Sequence, residues 1–507
     1  MPPKFRIKTK IPQICLISGG FIAGIMGVII ILLGTSLYGI GISPDSVNYI
    51  SCSKNIIAGN GMVTYTGDSF SGWPPLYPLI LAAIGSTTGI DPIVSIKYLH
   101  AVVFGLIIVL SIRLFGLYVK STAIIMFGIF FVLFSLPIVS ISLMAWSEPI
   151  FILLLVIFLI YLQKFLDQGD LRTLILISFV TALSCLQRYI GITLIATGVI
   201  AIVLLMPTRE VLKKIKYSTI FFIISTTPLI LWFLRNFLIS NTLTGSRSPA
   251  KLSFQHYILV TFDVLSSWFM PLSLPYFIRI LFVIVFCFIF IGVSINLYTM
   301  NNNVMNIKSV RINGLSFFII IYISFLIISS SITKLDPVPY RYLSIIYIPV
   351  ICLFLVGIEN TSLWLGRRFK SKLSGNLVVF LFSVILITYP IKSAINYIQA
   401  RISNGAGFYT SKRWKTSSLV RWLNANSIDG IIYSNAPDAI YILNEIDAKW
   451  LSYNSIMKNN KSSNNIYIVW FNSVSWRSFE KRLQEVKSKF NLEIEKKFPD
   501  GVIYKVR

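Results

Sequence analysis

Carboxylates are scarce over most of this chain of 507 residues, and ten of them precede residue 399: Asp45, Asp68, Asp91, Glu148, Asp167, Asp170, Glu210, Asp263, Asp336 and Glu359. Chemistry in that part that needs a general base has only this short list to draw from. Three arginines, Arg188, Arg235 and Arg341, border long apolar runs. A guanidinium presents a planar fork that fits phosphate oxygens in pairs. Histidine occurs only as His100 and His256, which leaves no HExxH pair and little from which to build a Ser/His/Asp triad. Cys15, Cys52, Cys185, Cys287 and Cys352 lie singly, four of them within apolar runs, so neither a disulfide framework nor a zinc cluster is indicated.

The elements that must position these groups are membrane elements. Hydrophobic residues make up 55% of the chain and charged ones 13%, and the mean hydropathy is +0.76, far from the roughly 25% charge of an average soluble domain. The net charge of +26 would suit nucleic acid, but the basic residues cluster in short loops between apolar runs, as cytoplasmic loops do, so nucleic acid is excluded as a partner and a lipid bilayer implied. The first run, about residues 11 to 40, is too long for a signal-peptide core and reads as a retained helix. Spans of the required length, roughly 17–25 residues, number about eleven: 13–39, 92–118, 121–145, 149–166, 171–187, 189–206, 217–235, 275–298, 313–333, 341–363 and 375–395. Basic clusters at alternate loops, from Lys4–Lys10 to Arg367–Lys372, put the N-terminus in the cytoplasm, and an odd span count then puts residues 399–507 outside. This tail alternates helical and strand patterns ("SSLVRWLNANS", "GIIYS", "NIYIVWF", "RSFEKRLQEVKSKF", "GVIYKV") and reads as a small α/β domain. The expected organisation is a transmembrane part, 1–398, with a first outer loop at 41–91, and an extracytoplasmic domain, 399–507.

Topology sorts the acids. Asp167, Asp170, Glu210 and Glu359 fall at the cytoplasmic side, leaving six outside. Asp45, in "SPDSVNYISCSKNIIAGNG", opens an interfacial amphipathic helix, where it serves as N-cap, as catalytic base, or as both. Glu148, followed by Pro149, is either a site acid or a charge complementing the next helix's N-terminus. Each arginine is a phosphate ligand or a snorkelling helix-end charge. Asp336 reads as a solvated loop acid or an orienting partner of Arg341. Asp68 and Asp263 read as loop charges, and Asp91 as a cap before Pro92. The segment "WPPLYPLILAAIG" carries a second helix too short to span.

That first loop, with "WSEPIF" at 146–151, "QRYIG" at 187–191, "LRN" at 234–236 and "YRYLSIIYIPV" at 340–350, resembles the GT-C superfamily of membrane glycosyltransferases, in the branch of protein O-mannosyltransferases and lipid A aminoarabinose transferases. The resemblance spans about residues 1–400. It implies inverting sugar transfer from a polyprenyl-phosphate donor at the outer face of the plasma (inner) membrane. Asp45 would be the base, Glu148 a second active-site acid, and Arg188, Arg235 and Arg341 the donor phosphate ligands, with Asp336, Tyr340 and Tyr49 in support. Where many relatives carry Asp-Glu, this chain has Asp45-Ser46, which weakens the transfer of a protein-mannosyltransferase label. No cofactor is required, and Mg²⁺ held by carboxylate and phosphate is compatible. The acceptor is unspecified. The competing reading is a transporter or flippase of lipid-linked sugar, although no inverted repeat is visible.

Overall fold

The computed structural model describes residues 12–250, 252–284, 307–334, 339–369, 372–460, 465–477 and 479–507. The chain divides into two compact units, neither continuous in sequence: Met1–Leu33, Ser71–Tyr77 and Tyr98–Gln399 form one, and Gly34–Phe70, Pro78–Lys97 and Ala400–Arg507 the other. The first outer loop, assigned by sequence to the transmembrane part, thus falls mainly in the same compact unit as the tail.

The first unit is helical. Six helices are long and apolar enough to cross a membrane, namely Leu16–Gly34, Pro92–Tyr118, Glu148–Gln168, Val211–Ser240, Asn313–Ile332 and Tyr340–Arg368, and a seventh span is counted if Thr122–Leu133 and Leu136–Ser142 are one span bent by 45°. These stand against the eleven expected. The runs at 171–187 and 189–206 form apolar helices, but each of them falls short of the long spans. The run at 275–298 lies largely outside the described residues, and that at 375–395 lies within the helix Lys372–Asn404. The bend in the third run follows from Pro137 in the first turn of the second segment, since proline has no N–H to donate to the carbonyl four residues back, that of Leu133, and its ring crowds that carbonyl.

We label the helices that build the site α1 (Pro12–Gly34), α2 (Pro44–Ile57), α3 (Leu76–Thr88), α4 (Pro92–Tyr118), α5 (Glu148–Gln168), α6 (Leu171–Gln187), α7 (Val211–Ser240) and α8 (Phe254–Ser267). Helices α1 and α4 cross through glycine: a Cβ on Gly105 would stand 3.0 Å from the Gly24 carbonyl oxygen and 2.9 Å from Val28. In lipid such small residues let backbones approach where no hydrophobic effect drives association. Helix α8 is absent from the sequence reading, which left this segment as loop. Ser253 caps it, accepting from the His256 amide.

In the second unit, α2 and α3 meet closely, a Cβ on Gly85 falling 2.6 Å from the Ile57 Cδ1 atom. Between them the loop turns back on itself, with Val63 bridged to Ser69. The tail builds one five-stranded sheet. In chain order its strands are β1 (Ile431–Ser434), β2 (Lys449–Trp450), β3 (Ile466–Phe471), β4 (Leu492–Phe498) and β5 (Gly501–Val506), and in space they run β2-β1-β3-β5-β4. Pairing is parallel around β1 and antiparallel around β5. Alternation along β3 and β5 buries Ile466, Ile468, Tyr504 and Val506 against Leu483 and Val486 of the helix Glu480–Lys489. Strand β2, only two residues long, and β4, whose residues 493–497 are exposed, lack the patterning that marks the other strands, and both lie at sheet edges.

Candidate active site

Helix α5 begins at Glu148, whose side chain is fully buried. Its carboxylate holds two guanidiniums at once. Arg188 Nη1 lies 2.6 Å from Oε1, and Arg341 reaches both oxygens, through Nε to Oε1 and through Nη2 to Oε2 at 3.4 Å. Arg188 occupies the extended residue where α6 ends and the chain passes through one tight turn, Tyr189–Gly191, before the next helix. Arg341 sits in the short helix Pro339–Leu343, ahead of another tight turn at Ser344–Ile346. Arg188 is therefore delivered by a break between apolar helices, and Arg341 by the first turn of the span Tyr340–Arg368. Ser147 ties the group together, its hydroxyl accepting from Arg188 and its carbonyl from Gln187, both at 2.9 Å. Arg341 lies over the Trp146 ring at 4.1 Å, and both arginines face the ring of Tyr342, at 5.6 and 5.8 Å.

The snorkelling reading fails for Arg188 and Arg341: both point inward to a buried acid. Glu148 does more than complement a helix end, since two charges answer it from distant parts of the chain. Among the described residues two guanidiniums meet one carboxylate, and the buried Arg188 Nε has no hydrogen-bond partner there. Such a cluster can bind an anion, with Glu148 fixing the forks that would meet it.

The third arginine is placed differently. Arg235, on α7, lies over Trp232 at 4.7 Å and donates to the Asn236 Oδ1 atom at 3.0 Å. Asn236 in turn donates to the carbonyls of Ser71 and Leu243, and the Trp232 indole donates to Tyr189 beside Arg188. The structure thus joins Arg188 and Arg341 on one carboxylate and gives Arg235 its own aromatic and amide contacts. Tyr340 is exposed. Asp336 lies outside the described residues. Asp263 is a correction: it stands on α8 and pairs with the buried Arg279 at 2.6 Å. His100 bridges Tyr77, of the "WPPLYP" segment, to the Ser142 carbonyl. That carbonyl only accepts, so Nδ1 carries the hydrogen and Nε2 accepts from the tyrosine hydroxyl.

In the second unit Asp45 lies in the first turn of α2, half-buried. It is not the cap. Ser43 is, accepting from the Ser46 amide while the Ser46 hydroxyl accepts from the Ser43 amide. Pro44 explains the shift, because proline suits the first helical position and the cap then falls one residue earlier. Tyr49, one turn on, is buried near Phe70. A second buried ion pair lies in this unit: Arg477 grips Asp438 through both terminal nitrogens, at 2.6 and 2.7 Å, and donates to the Tyr409 hydroxyl at 2.7 Å. Burial, with Asp438 nearby, pushes the Tyr65 hydroxyl well above its ordinary pKa and keeps it protonated. Among the described residues no three His, Cys, Asp or Glu side chains group as a metal site.

Sequence reasoning missed Trp146, Ser147 and Tyr342 as cluster members, although all three lie inside motifs it had singled out. Their signal was adjacency to the charged residues. It missed the Asp438–Arg477 pair entirely, because 39 residues separate the partners and no pattern connects them.

No known protein-family profile matches the chain, and no curated protein does. Solved structures do. The chain has the fold of ArnT from Cupriavidus metallidurans, solved bound to undecaprenyl phosphate and in the apo state, each with a TM-score of 0.60 over 96% of this chain and 97% of that one at 9% identity. That is the branch which the sequence motifs resemble.

Proposed function

We propose that this protein is a membrane glycosyltransferase that moves a sugar, hexosyl or pentosyl, from a polyprenyl-phosphate donor to an acceptor hydroxyl at the outer face of the membrane. The observation that carries the reading is the fold shared along nearly the whole chain with ArnT, a protein solved with undecaprenyl phosphate bound. The Glu148–Arg188–Arg341 cluster supports it, because it orients two guanidiniums, the groups that bind phosphate oxygens best. In this reading about eleven spans cross the inner membrane, with the N-terminus in the cytoplasm and the tail outside.

Asp45 serves as general base. The acceptor oxygen attacks the anomeric carbon and loses its proton to the Asp45 carboxylate as the new C–O bond forms. On the opposite face of the sugar the bond to the phosphate oxygen breaks, its electron pair leaves with the lipid phosphate, and the anomeric configuration inverts. The leaving group is stable as an anion, so it needs binding rather than protonation. Arg188 and Arg341 hold it, Glu148 keeps them oriented, and Arg235 adds a contact; Tyr49 and Tyr340 support the two sides. The chemistry requires no cofactor, and Mg²⁺ between carboxylate and phosphate is compatible with it.

The test is to delete the protein from its native membrane and identify the lipid-linked sugar that accumulates. That lipid is then supplied to the purified full chain in vesicles. Release of free polyprenyl phosphate together with a glycosylated acceptor is expected. Absence of any accumulating lipid-linked sugar, or failure of the purified chain to release polyprenyl phosphate from the one that accumulates, overturns the proposal.

A further inference from the structure

The second unit contains a cavity of about 680 Å³, lined on one side by the end of α2 and the turned-back loop after it, and on the other by β1, β2 and the helix Pro437–Asn444. Its volume lies in the range of about 300–1,000 Å³ typical of small-molecule sites. We infer that this cavity is a saccharide-binding subsite that holds the part of the acceptor beyond its reactive hydroxyl; the acceptor role rests on the function proposed above.

The lining decides the ligand class. Asn60 offers its amide oxygen and second N–H, the Thr64 and Thr66 hydroxyls, whose hydrogens serve Thr66 and Asp68, offer accepting oxygens, and Tyr65 and Tyr441 bring rings packed 5.4 Å apart. A sugar presents the same mixture, with hydroxyls around its rim and C–H groups on its faces, and tyrosine joins an apolar body to a polar tip. Asp447 and Lys449 also line the cavity, and among the described residues neither is ion-paired. They stand two residues apart, so their charges cancel at any distance beyond the cavity. A phosphate would meet one cation beside one carboxylate, and an acyl chain would meet the Asn, Thr, Asp and Lys side chains that stand among the apolar ones, Val63, Ile431, Ile432 and Ala448. Both fit worse than a neutral glycan.

The walls are held from behind. Asn55 donates to the carbonyls of Val63 and Thr64, and Asn60 donates to Asn55, which pins the loop to α2. Tyr65 accepts from the Trp450 indole, over which Arg477 lies at 4.9 Å, and Arg477 is locked to Asp438. A pre-formed polar wall is what a hydroxyl-rich ligand needs, because little ordering then accompanies binding.

Helix α2 also sets a distance. Asp45 and Asn55 are ten residues apart on it, which at 1.5 Å per residue is ~15 Å along the axis. An acceptor with its attacking hydroxyl at Asp45 and another part in the cavity must extend well beyond a single sugar ring.

The experiment uses the full chain in detergent and saturation-transfer NMR with mannotriose and chitotriose as probes, sorbitol serving as the small polyol control. Saturation of at least one trisaccharide is expected, with none for sorbitol. Tyr441→Ala and Asp447→Asn should each weaken binding at least about tenfold, while Arg209→Ala, an exposed residue outside the cavity lining, should bind normally. Unaltered melting temperatures keep a folding defect from mimicking the result. No transfer to either trisaccharide, or transfer insensitive to both cavity variants, overturns the inference and leaves the proposed function standing. Cavity-dependent binding in a protein that releases no polyprenyl phosphate overturns that function and leaves the saccharide site.

Discussion

Asp45 and Glu148 both stand in the first turn of a helix, and their surroundings assign them different work. Asp45 is half-buried behind a cap made by Ser43 and Ser46. Asp45→Asn therefore leaves the cap intact and costs only the interaction of one charge with the helix end, at most about 1 kcal/mol. Its effect on transfer should be far larger, about 10²–10⁴-fold, because an amide cannot take the acceptor's proton. Near-normal turnover by a folded Asp45→Asn protein would remove Asp45 from the chemistry. Glu148 carries the opposite expectation for stability. Glu148→Gln strands two buried guanidiniums, and breaking a buried pair typically costs about 3–5 kcal/mol, so thermal unfolding in detergent should come at clearly lower temperature than for Asp45→Asn. Equal melting of the two variants would show that the pairing contributes nothing. Arg188→Lys keeps the charge and a donor for Glu148 and Ser147, both of which meet Nη1, but loses the Nε–H that has no partner among the described residues; donor use should weaken, read as a raised KM for the lipid-linked sugar, and an unchanged KM would make Arg188 purely structural.

At the scale of elements, the breaks matter as much as the helices. The turn after Gln187 takes Arg188 off the helical path and lets its side chain meet Glu148, while Arg341 reaches the same carboxylate from the first turn of its span. Glycines set the other critical contact. At the crossing of α1 and α4, Gly105→Leu would drive a branched side chain into the Gly24 carbonyl and Val28. Because the neighbour is backbone, relaxation is limited, and overpacking of this kind costs about 1–3 kcal/mol or more. Poor membrane yield and lower melting are expected, with Gly105→Ala milder; wild-type behaviour of the leucine variant would mean the helices do not cross there. Helix α8 shows where reading by element fails. Its apolar residues were visible, but a short amphipathic segment between long apolar runs does not declare itself helix or loop until it has something to pack against.

For the whole molecule, orientation is the testable quantity. Cysteine introduced at Asn60 and at Lys412, both exposed, should react with an impermeant reagent from outside, and cysteine at the exposed Arg209 should react only after the membrane is opened. The native Cys52, Cys185 and Cys352 are buried and contribute little background. Opposite labelling of positions 60 and 412 would overturn the topology. Hydropathy and residue period depend only on neighbours along the chain, so the membrane class, the main apolar runs, the strands with clean alternation and a short list of acids and arginines are legible before any folding. Which residues meet is fixed only when the chain folds. Glu148 lies 193 residues from Arg341, the Asp438–Arg477 pair joins different elements of the tail, and the cavity draws its walls from residues 55–67 and 430–449. No local pattern encodes such pairings, since a charge buried by its partner and a charge left in water have the same sequence signature until the chain has folded around them.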